Sequence, residues 1–224
     1  MSISLLWSFT INFTCFSDET RSKGKTEYQM VTGDDSEEDR SQWDKKYKTK
    51  TYIFGKEPAL FLKEHVHLLP VGKALDIAMG EGRNAIYLAK KGFIVEGVDI
   101  SEVALQKAKM LARDNNVTSK LLVINADLNT YTIKSDYYEV IIDFYYLQRS
   151  LFPQIKKGLK KGGIVVFETY TEEQLKNKEG QRIPKDYLLK IGELREAFKD
   201  FEILVYRETN NGKEAIASLV ARKR

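Results

Sequence analysis

From Lys73 onward the apolar positions switch repeatedly between two periods. Lys73 to Ile77 (KALDI) is a short apolar run that passes through an acid into a glycine turn. Asn84 to Lys91 has helical spacing, and Gly92 stands where a helix C-terminus takes a residue of positive φ. Phe93 to Asp99 (FIVEGVD) reads as the next strand. Ser101 then caps a helix whose apolar stripe is Ala104, Ala108, Leu111 and Ala112. Leu121 to Asp127 (LLVINAD) and Tyr138 to Phe144 (YEVIIDF) are further strands, followed by a helix over 150–160 and a strand from Gly163 to Thr169 (GIVVFET). Their runs are continuous, not alternating, which predicts strands covered on both faces. Strands separated by helices imply a parallel sheet with right-handed crossovers. The C-terminus breaks the rhythm. Phe201 to Glu208 and Glu214 to Arg222 are strands with only Thr209-Asn210-Asn211-Gly212-Lys213 between them, turn chemistry that predicts an antiparallel hairpin.

The N-terminal part has no such periodicity. Met1 to Phe16 lacks charged side chains, but no Lys or Arg precedes it and Ser, Thr and Asn interrupt it. It is too short and polar for a membrane-spanning helix, and two readings stay open: a targeting segment that departs from the usual signal pattern, or an extension from an upstream start with Met30 as the alternative start. Ser17 to Arg40 is polar, with acids at Asp34, Asp35, Glu37, Glu38 and Asp39, a composition that buries too little apolar area to order itself. The expectation is a flexible extension over 1–40 and one α/β domain over 41–224.

The 224 residues suffice for one large domain of this kind. Hydrophobic residues at 42% and charged residues at 30% are ordinary for a soluble globular chain. A net charge of +4, with both signs interspersed, gives no electrostatic case for nucleic acid. One cysteine, Cys15, excludes an internal disulfide framework and a Cys-rich zinc site, and two histidines leave little for a metal centre. His65 and His67 are two apart, so on a helix they face differently and make no metal pair. Lys90, Lys91, Lys156, Lys157, Lys160 and Lys161 precede turn glycines, where cations balance helix dipoles. The expectation is a cytoplasmic protein with no metal, nucleic-acid or membrane partner, whose oligomeric state is not encoded legibly.

Candidate chemistry gathers in the first glycine turn, Asp76-Ile77-Ala78-Met79-Gly80-Glu81-Gly82-Arg83-Asn84-Ala85. Gly80-x-Gly82-x-x-Ala85 nearly fits a dinucleotide fingerprint, with Asp99 at about the distance of a ribose contact. Starting from Asp76, the same loop resembles the nucleoside-binding loop of S-adenosylmethionine (SAM) methyltransferases. Three features favour the second reading: the acid inside the turn, a further strand-end acid at Asp127, and the closing hairpin. SAM has no pyrophosphate to cradle. Its ribose diol suits Asp99, its adenine amino group Asp127, and its ammonium Asp76, directly or through water. Any one of these aspartates alone reads as a solvated strand end or cap. Three at successive strand ends, where open α/β sheets bind ligands, point to a site.

The segments LDIAMGEGRNAIYLA (75–89), VEGVDIS (95–101), NADLNTY (125–131), the run 137–170 and WDKKYKTKTYIFGKEPALFL (43–62) resemble class I SAM-dependent methyltransferases, in the branch similar to tellurite-resistance methyltransferases. The resemblance covers about Gln42 to Arg222. It implies a single Rossmann-like, doubly wound seven-stranded sheet, order 3-2-1-4-5-7-6 with strand 7 antiparallel. It also implies a cofactor site at Asp76, Ala78, Gly80, Gly82, Arg83, Asp99, Ile100, Ala126, Asp127, Leu128 and Phe144. The family commonly has Gly-Cys where this chain has Ala78-Met79, so a methyl intrudes where backbone approaches the ligand.

Methyl transfer from a sulfonium is an in-line displacement that depends on alignment and dryness, and a neutral amine or hydroxyl also needs a proton acceptor. Trp43, Tyr47, Tyr52, Tyr145, Arg149 and Tyr170 are the substrate candidates, and Arg149, Tyr52 and Tyr145 the catalytic ones. Trp43, Tyr47 and Phe54 equally suit packing of an N-terminal helix, and Arg149 equally suits a pair with Asp143 or Glu168. Tyr170 to Asp186, with Arg182 and Pro184, reads as a lid-like loop. The functions in view are methyl transfer to a small thiol, amine, oxyanion or chalcogen oxyanion, nucleotide-dependent redox chemistry, and SAM binding without catalysis.

Overall fold

The two alternating periods build one seven-stranded sheet with helices on both faces, in a computed structural model that describes residues 11–13, 26–28, 36–177 and 183–224. Ahead of the sheet, β1 (Ile11–Phe13) pairs antiparallel with β2 (Thr26–Tyr28), and α1 spans Ser36–Tyr47. The remaining elements are α2 (Leu60–His65), β3 (Lys73–Ile77), α3 (Arg83–Lys90), β4 (Ile94–Asp99), α4 (Glu102–Asp114) and β5 (Leu121–Asn125). Then come β6 (Tyr138–Phe144), α5 (Leu151–Gly158), β7 (Leu159–Tyr170), α6 (Glu193–Ala197), β8 (Glu202–Asn210) and β9 (Ala215–Arg222).

The sheet order is β5-β4-β3-β6-β7-β9-β8. Counted within the sheet, that is 3-2-1-4-5-7-6, with β9 antiparallel to both neighbours and the first five strands parallel. Side chains alternate between two cores, as pleating requires. Ala74, Val140, Ile142 and Val166 pack beneath α2, α3 and α4 with Phe61, Leu88 and Leu105. Leu75, Ile141, Val165 and Phe167 pack on the opposite face with Leu151, Ile155 and Phe198. Ser101 caps α4 by accepting from the Ala104 amide, and Gly92 takes φ +103° after α3.

Three expectations need correction. The run Leu121 to Asp127 is not covered on both faces: β5 is an edge strand, and Leu122 is half exposed. The strand expected at Gly163 begins at Leu159, with a register shift between Tyr138 and Val140 of its partner, so α5 ends at Gly158. The flexible extension over 1–40 is also too long. Residues 11–13 and 26–28 pair as strands, and α1 already begins at Ser36; the rest of 1–35 lies outside the described residues.

Three of the acids that suggested a flexible tail instead complement a helix N-terminus, while Asp34 and Asp35 lie outside the described residues. Glu37, Glu38 and Asp39 occupy the first turn of α1, and Lys45 and Lys46 the last. Docking comes from Asp44, whose Oδ1 accepts from the Ser101 hydroxyl at 2.6 Å and the Val103 amide at 3.1 Å. This ties α1 to the start of α4 and brings its aromatic side chains over the glycine turn.

Candidate active site

The carboxyl ends of β3, β4 and β6 open into a cavity that α1 partly covers. Parallel strands leave a crevice there because their connections diverge to opposite faces of the sheet. Asp76, Asp99 and Asp127 all line it. Asp76 is the fourth residue of β3 and Asp99 the last of β4, while Asp127 follows the end of β5.

Their environments differ. Asp99 is held by the Gly80 amide on Oδ2 at 2.7 Å and the Ser101 amide on Oδ1 at 2.9 Å. Burial pushes it up to about 6, opposed by those two N–H donors. Asp127 is half-buried and accepts from the Asn129 amide at 2.8 Å. Asp76 is buried, and its Oδ2 has no hydrogen-bond partner among the described residues. Burial pushes it up to about 8, against the Ala85 N–H that stabilises the anion. Asp143 lies buried one strand away in β6, and burial followed by repulsion from Asp76 raises it well above the carboxylate range. Lys46 of α1 is lowered to about 7 by burial, against the pull of Asp99.

The glycine turn serves packing as much as access. A Cβ at Gly82 would sit 2.8 Å from the Ala108 Cβ and 2.9 Å from Ile86 Cδ1, so this glycine lets α3 start against α4. Gly82 does not line the cavity. A Cβ at Gly80 would lie 2.8 Å from the Tyr47 hydroxyl, so Gly80 makes room for α1 while lining the cavity. Ala78, where the resemblance puts glycine, has φ +51°, in the left-handed region. Its methyl therefore stores backbone strain. Met79 fills the space over Gly97, where a Cβ would fall 1.8 Å from its sulfur.

Side chains of the turn also fix the 49–59 segment. Glu81 accepts from the Ile53 amide at 2.8 Å and pairs with Lys107 at 2.7 Å. Asn84 accepts from the Ala59 amide at 2.8 Å, and Arg83 donates to the Phe54 carbonyl at 3.3 Å. The result is an aromatic wall: Trp43 stacks on Tyr47 at 5.7 Å, and Tyr47 meets Phe54 edge-on at 6.3 Å. All three line the cavity, so they both pack α1 and face the site.

Of the residues expected from the sequence, Ala78, Arg83, Ile100, Leu128, Phe144 and Tyr145 also line the cavity. Ala126 does not. Tyr52 points its hydroxyl at the Lys107 carbonyl, 3.1 Å away, behind the wall. Tyr170 packs tilted against Tyr145 at 5.3 Å and donates to Glu214 at 3.4 Å. Arg149 reverses the expectation most clearly. It grips Glu193 at 2.5 and 2.9 Å and donates to the carbonyls of Asp186 and Leu188 at 2.7 and 2.8 Å. Its guanidinium is consumed in fastening the segment before α6, with neither Asp143 nor Glu168 as partner.

The loop expected to act as a lid is partly ordered by short 3₁₀ turns at Glu172–Lys176 and Lys185–Tyr187, and Thr171 bridges Leu189. Arg182 lies outside the described residues. Sequence reasoning missed Asp39, Gly55, Glu81, Asn84 and Asn129 as lining residues. Asn129 stood within the quoted NADLN stretch; Asp39 was masked by its acidic neighbours. Among the described residues no group of three His, Cys, Asp or Glu side chains converges on a metal position, and no helix is long and apolar enough to cross a membrane.

Comparison with known proteins matches this geometry to a family. The family described as tellurite resistance protein TehB matches residues 38–214. A protein of Haemophilus influenzae named probable S-adenosyl-L-methionine-dependent methyltransferase TehB is 27% identical over 173 residues, 68% of this chain. The chain spans only 57% of that relative's length. The crystal structure of Haemophilus influenzae TehB superposes with a TM-score of 0.61 at 22% identity, covering 83% of this chain and 67% of that one. A geranyl diphosphate C-methyltransferase from Streptomyces coelicolor, solved with S-adenosyl-L-homocysteine, gives 0.60 at 14% identity over 73% of this chain and 74% of its own. At such identities the structures speak for the fold, and the family match adds the lineage: the chain belongs to the tellurite resistance protein TehB family, built on the fold of class I SAM-dependent methyltransferases.

Proposed function

We propose that this protein transfers a methyl group from SAM to a small-molecule acceptor. The observation that supports it best is the buried, unpartnered Asp76 Oδ2 sharing one cavity with Asp99 and Asp127. A buried acceptor without a donor is costly, and a ligand ammonium removes that cost. In this reading Asp76 holds the ammonium, Asp99 the ribose hydroxyls and Asp127 the adenine amino group, with Ile100, Leu128 and Phe144 providing apolar contact.

The same residues disfavour a dinucleotide. The Gly80 amide already donates to Asp99 and is not free for a pyrophosphate, and the Asp99 carboxylate beside the turn repels one. Bound there, SAM would supply an electrophilic methyl carbon on a sulfonium. Trp43, Tyr47, Phe54 and Tyr145 would exclude water and present aromatic faces to that positive centre. Acceptors in scope are thiols, amines, hydroxyls and oxyanions, including those of tellurium and selenium.

Isothermal calorimetry with S-adenosylhomocysteine tests the reading, with NADH as the competing ligand. Binding of S-adenosylhomocysteine and not of NADH is the expected result. No heat at millimolar S-adenosylhomocysteine overturns the proposal.

A further inference from the structure

Tyr145 is a bulky aromatic residue in the left-handed region, with φ +62°. Such a backbone costs roughly 1–3 kcal/mol and persists only where surrounding contacts over-determine it. Here both hydrogen-bond donors of Tyr145 go to one residue. Its amide donates to the Glu168 carbonyl at 2.7 Å, and its phenol donates to Glu168 Oε1 at 3.2 Å. The strained turn therefore aims a cavity-lining phenol at a carboxylate.

Glu168 is itself unusual. It lies in β7 at 3% exposure, in the interior of a sheet where glutamate is rare. Across the register, Ser218 of β9 donates to its Oε2 at 2.6 Å, and the Arg207 guanidinium stands 3.9 Å from the same oxygen. Those contacts orient Oε2 and leave Oε1 to the phenol. Burial, and to a smaller degree the Glu214 carboxylate, raise the proton affinity of Glu168, and the Ser218 and Tyr145 donors and Arg207 restrain that rise. The result is a better base than a surface glutamate, screened from solvent behind Tyr145, which lines the cavity.

We infer that Tyr145 and Glu168 form a proton relay for the acceptor, so that the preferred substrates carry a neutral hydroxyl or amine. This rests on the methyltransferase reading above and adds the substrate class. As the acceptor atom bonds to the methyl carbon, the electron pair of the breaking carbon–sulfur bond stays on sulfur. The acceptor's proton moves to Tyr145 Oη, and the phenol's own proton moves to Glu168 Oε1. A sulfonium and a carboxylate thus become a thioether and a carboxylic acid, and charge balances. Glu168 returns its proton through the phenol after the product leaves. Thiolates and oxyanions need no such relay.

The experiment compares wild type, Tyr145→Phe and Glu168→Gln with labelled SAM over a panel of phenols, alcohols and aromatic amines, with thiophenolate and tellurite as acceptors that need no base. Wild type should methylate hydroxyl or amine acceptors with kcat rising to a plateau as one group ionises. Both variants should lose about 10²–10⁴-fold in kcat and the rising limb, as for a lost general base, with S-adenosylhomocysteine affinity unchanged. Carbon-13 NMR of labelled glutamate gives a readout apart from activity: Glu168 should titrate above the ordinary glutamate range, and Tyr145→Phe should raise it further by removing a donor. Methylation confined to thiophenolate or tellurite overturns the relay. So does full activity in Tyr145→Phe, or a wild type that binds S-adenosylhomocysteine yet methylates no hydroxyl or amine. Failure to bind S-adenosylhomocysteine at all would instead strike the methyltransferase reading itself.

Discussion

Cofactor binding should depend on pH through Asp76. Without ligand this carboxyl titrates at about 8, chiefly because it is buried. An ammonium pairs with the anion and not with the acid, so binding must remove a proton from the neutral form. With a value near 8, about 3% of Asp76 is ionised at pH 6.5 and about half at pH 8, so affinity for S-adenosylhomocysteine should rise roughly 15-fold over that interval, ~1.6 kcal/mol. Asp99, at about 6, is already mostly ionised above pH 6.5 and adds little. Calorimetry at pH 6.5, 7 and 8, in buffers of different ionisation enthalpy, reads both the affinity and the protons released. Asp76→Asn should bind more weakly and lose the slope. The linkage has a second consequence with a definite sign. The folded value lies above the unfolded one, so Asp76 favours the ligand-free fold at low pH, and that contribution is lost as pH climbs through about 8. Asp76→Asn should therefore flatten the fall in melting temperature over the same range. An affinity independent of pH between 6.5 and 8 in wild type would refute the reasoning, as would a slope that survives in Asp76→Asn.

Two further outcomes follow from local geometry. Ala78→Gly should stabilise the protein by about 0.5–1 kcal/mol, because relief of left-handed strain at φ +51° exceeds the entropy that glycine adds to the unfolded chain; denaturant titration with an unchanged m-value checks it. Arg149→Gln should leave S-adenosylhomocysteine binding intact while speeding amide exchange across 185–193, since the Glu193 pair and the two carbonyl contacts go together; protection equal to wild type would contradict that role.

The sheet was legible because strand identity is written locally. Ile141, Val165 and their neighbours are β-branched and continuous, and the Asn-Asn-Gly turn leaves no length for a crossover before β9. The three aspartates were legible for the same reason: an acid near the carboxyl end of an apolar run, at the last residue or within two of it, lies close to the sheet's rim wherever the sheet lies. Arg149 was not legible. A cation after a strand fits a substrate contact equally well, and its partner, Glu193, is 44 residues away. Tyr52, offered as a catalytic candidate, differs from the cavity-lining Phe54 by two residues, and tertiary ties of this segment, Ile53 to Glu81, Phe54 to Arg83 and Tyr52 to Lys107, separate the two.

The sequence by itself determined the elements, their order, the closing hairpin and the rim of acids, since each follows from periodicity and turn chemistry within a few residues. Tertiary structure alone decided that an acidic run becomes a helix over the cavity, because Asp44 reaches Ser101 across 57 residues of chain. It also decided the balance of charge at the site. Burial, which no local pattern measures, raises the proton affinities of Asp76 and Glu168 above those of surface carboxylates. Proton affinities are properties of an environment, and the environment exists only once the chain has closed.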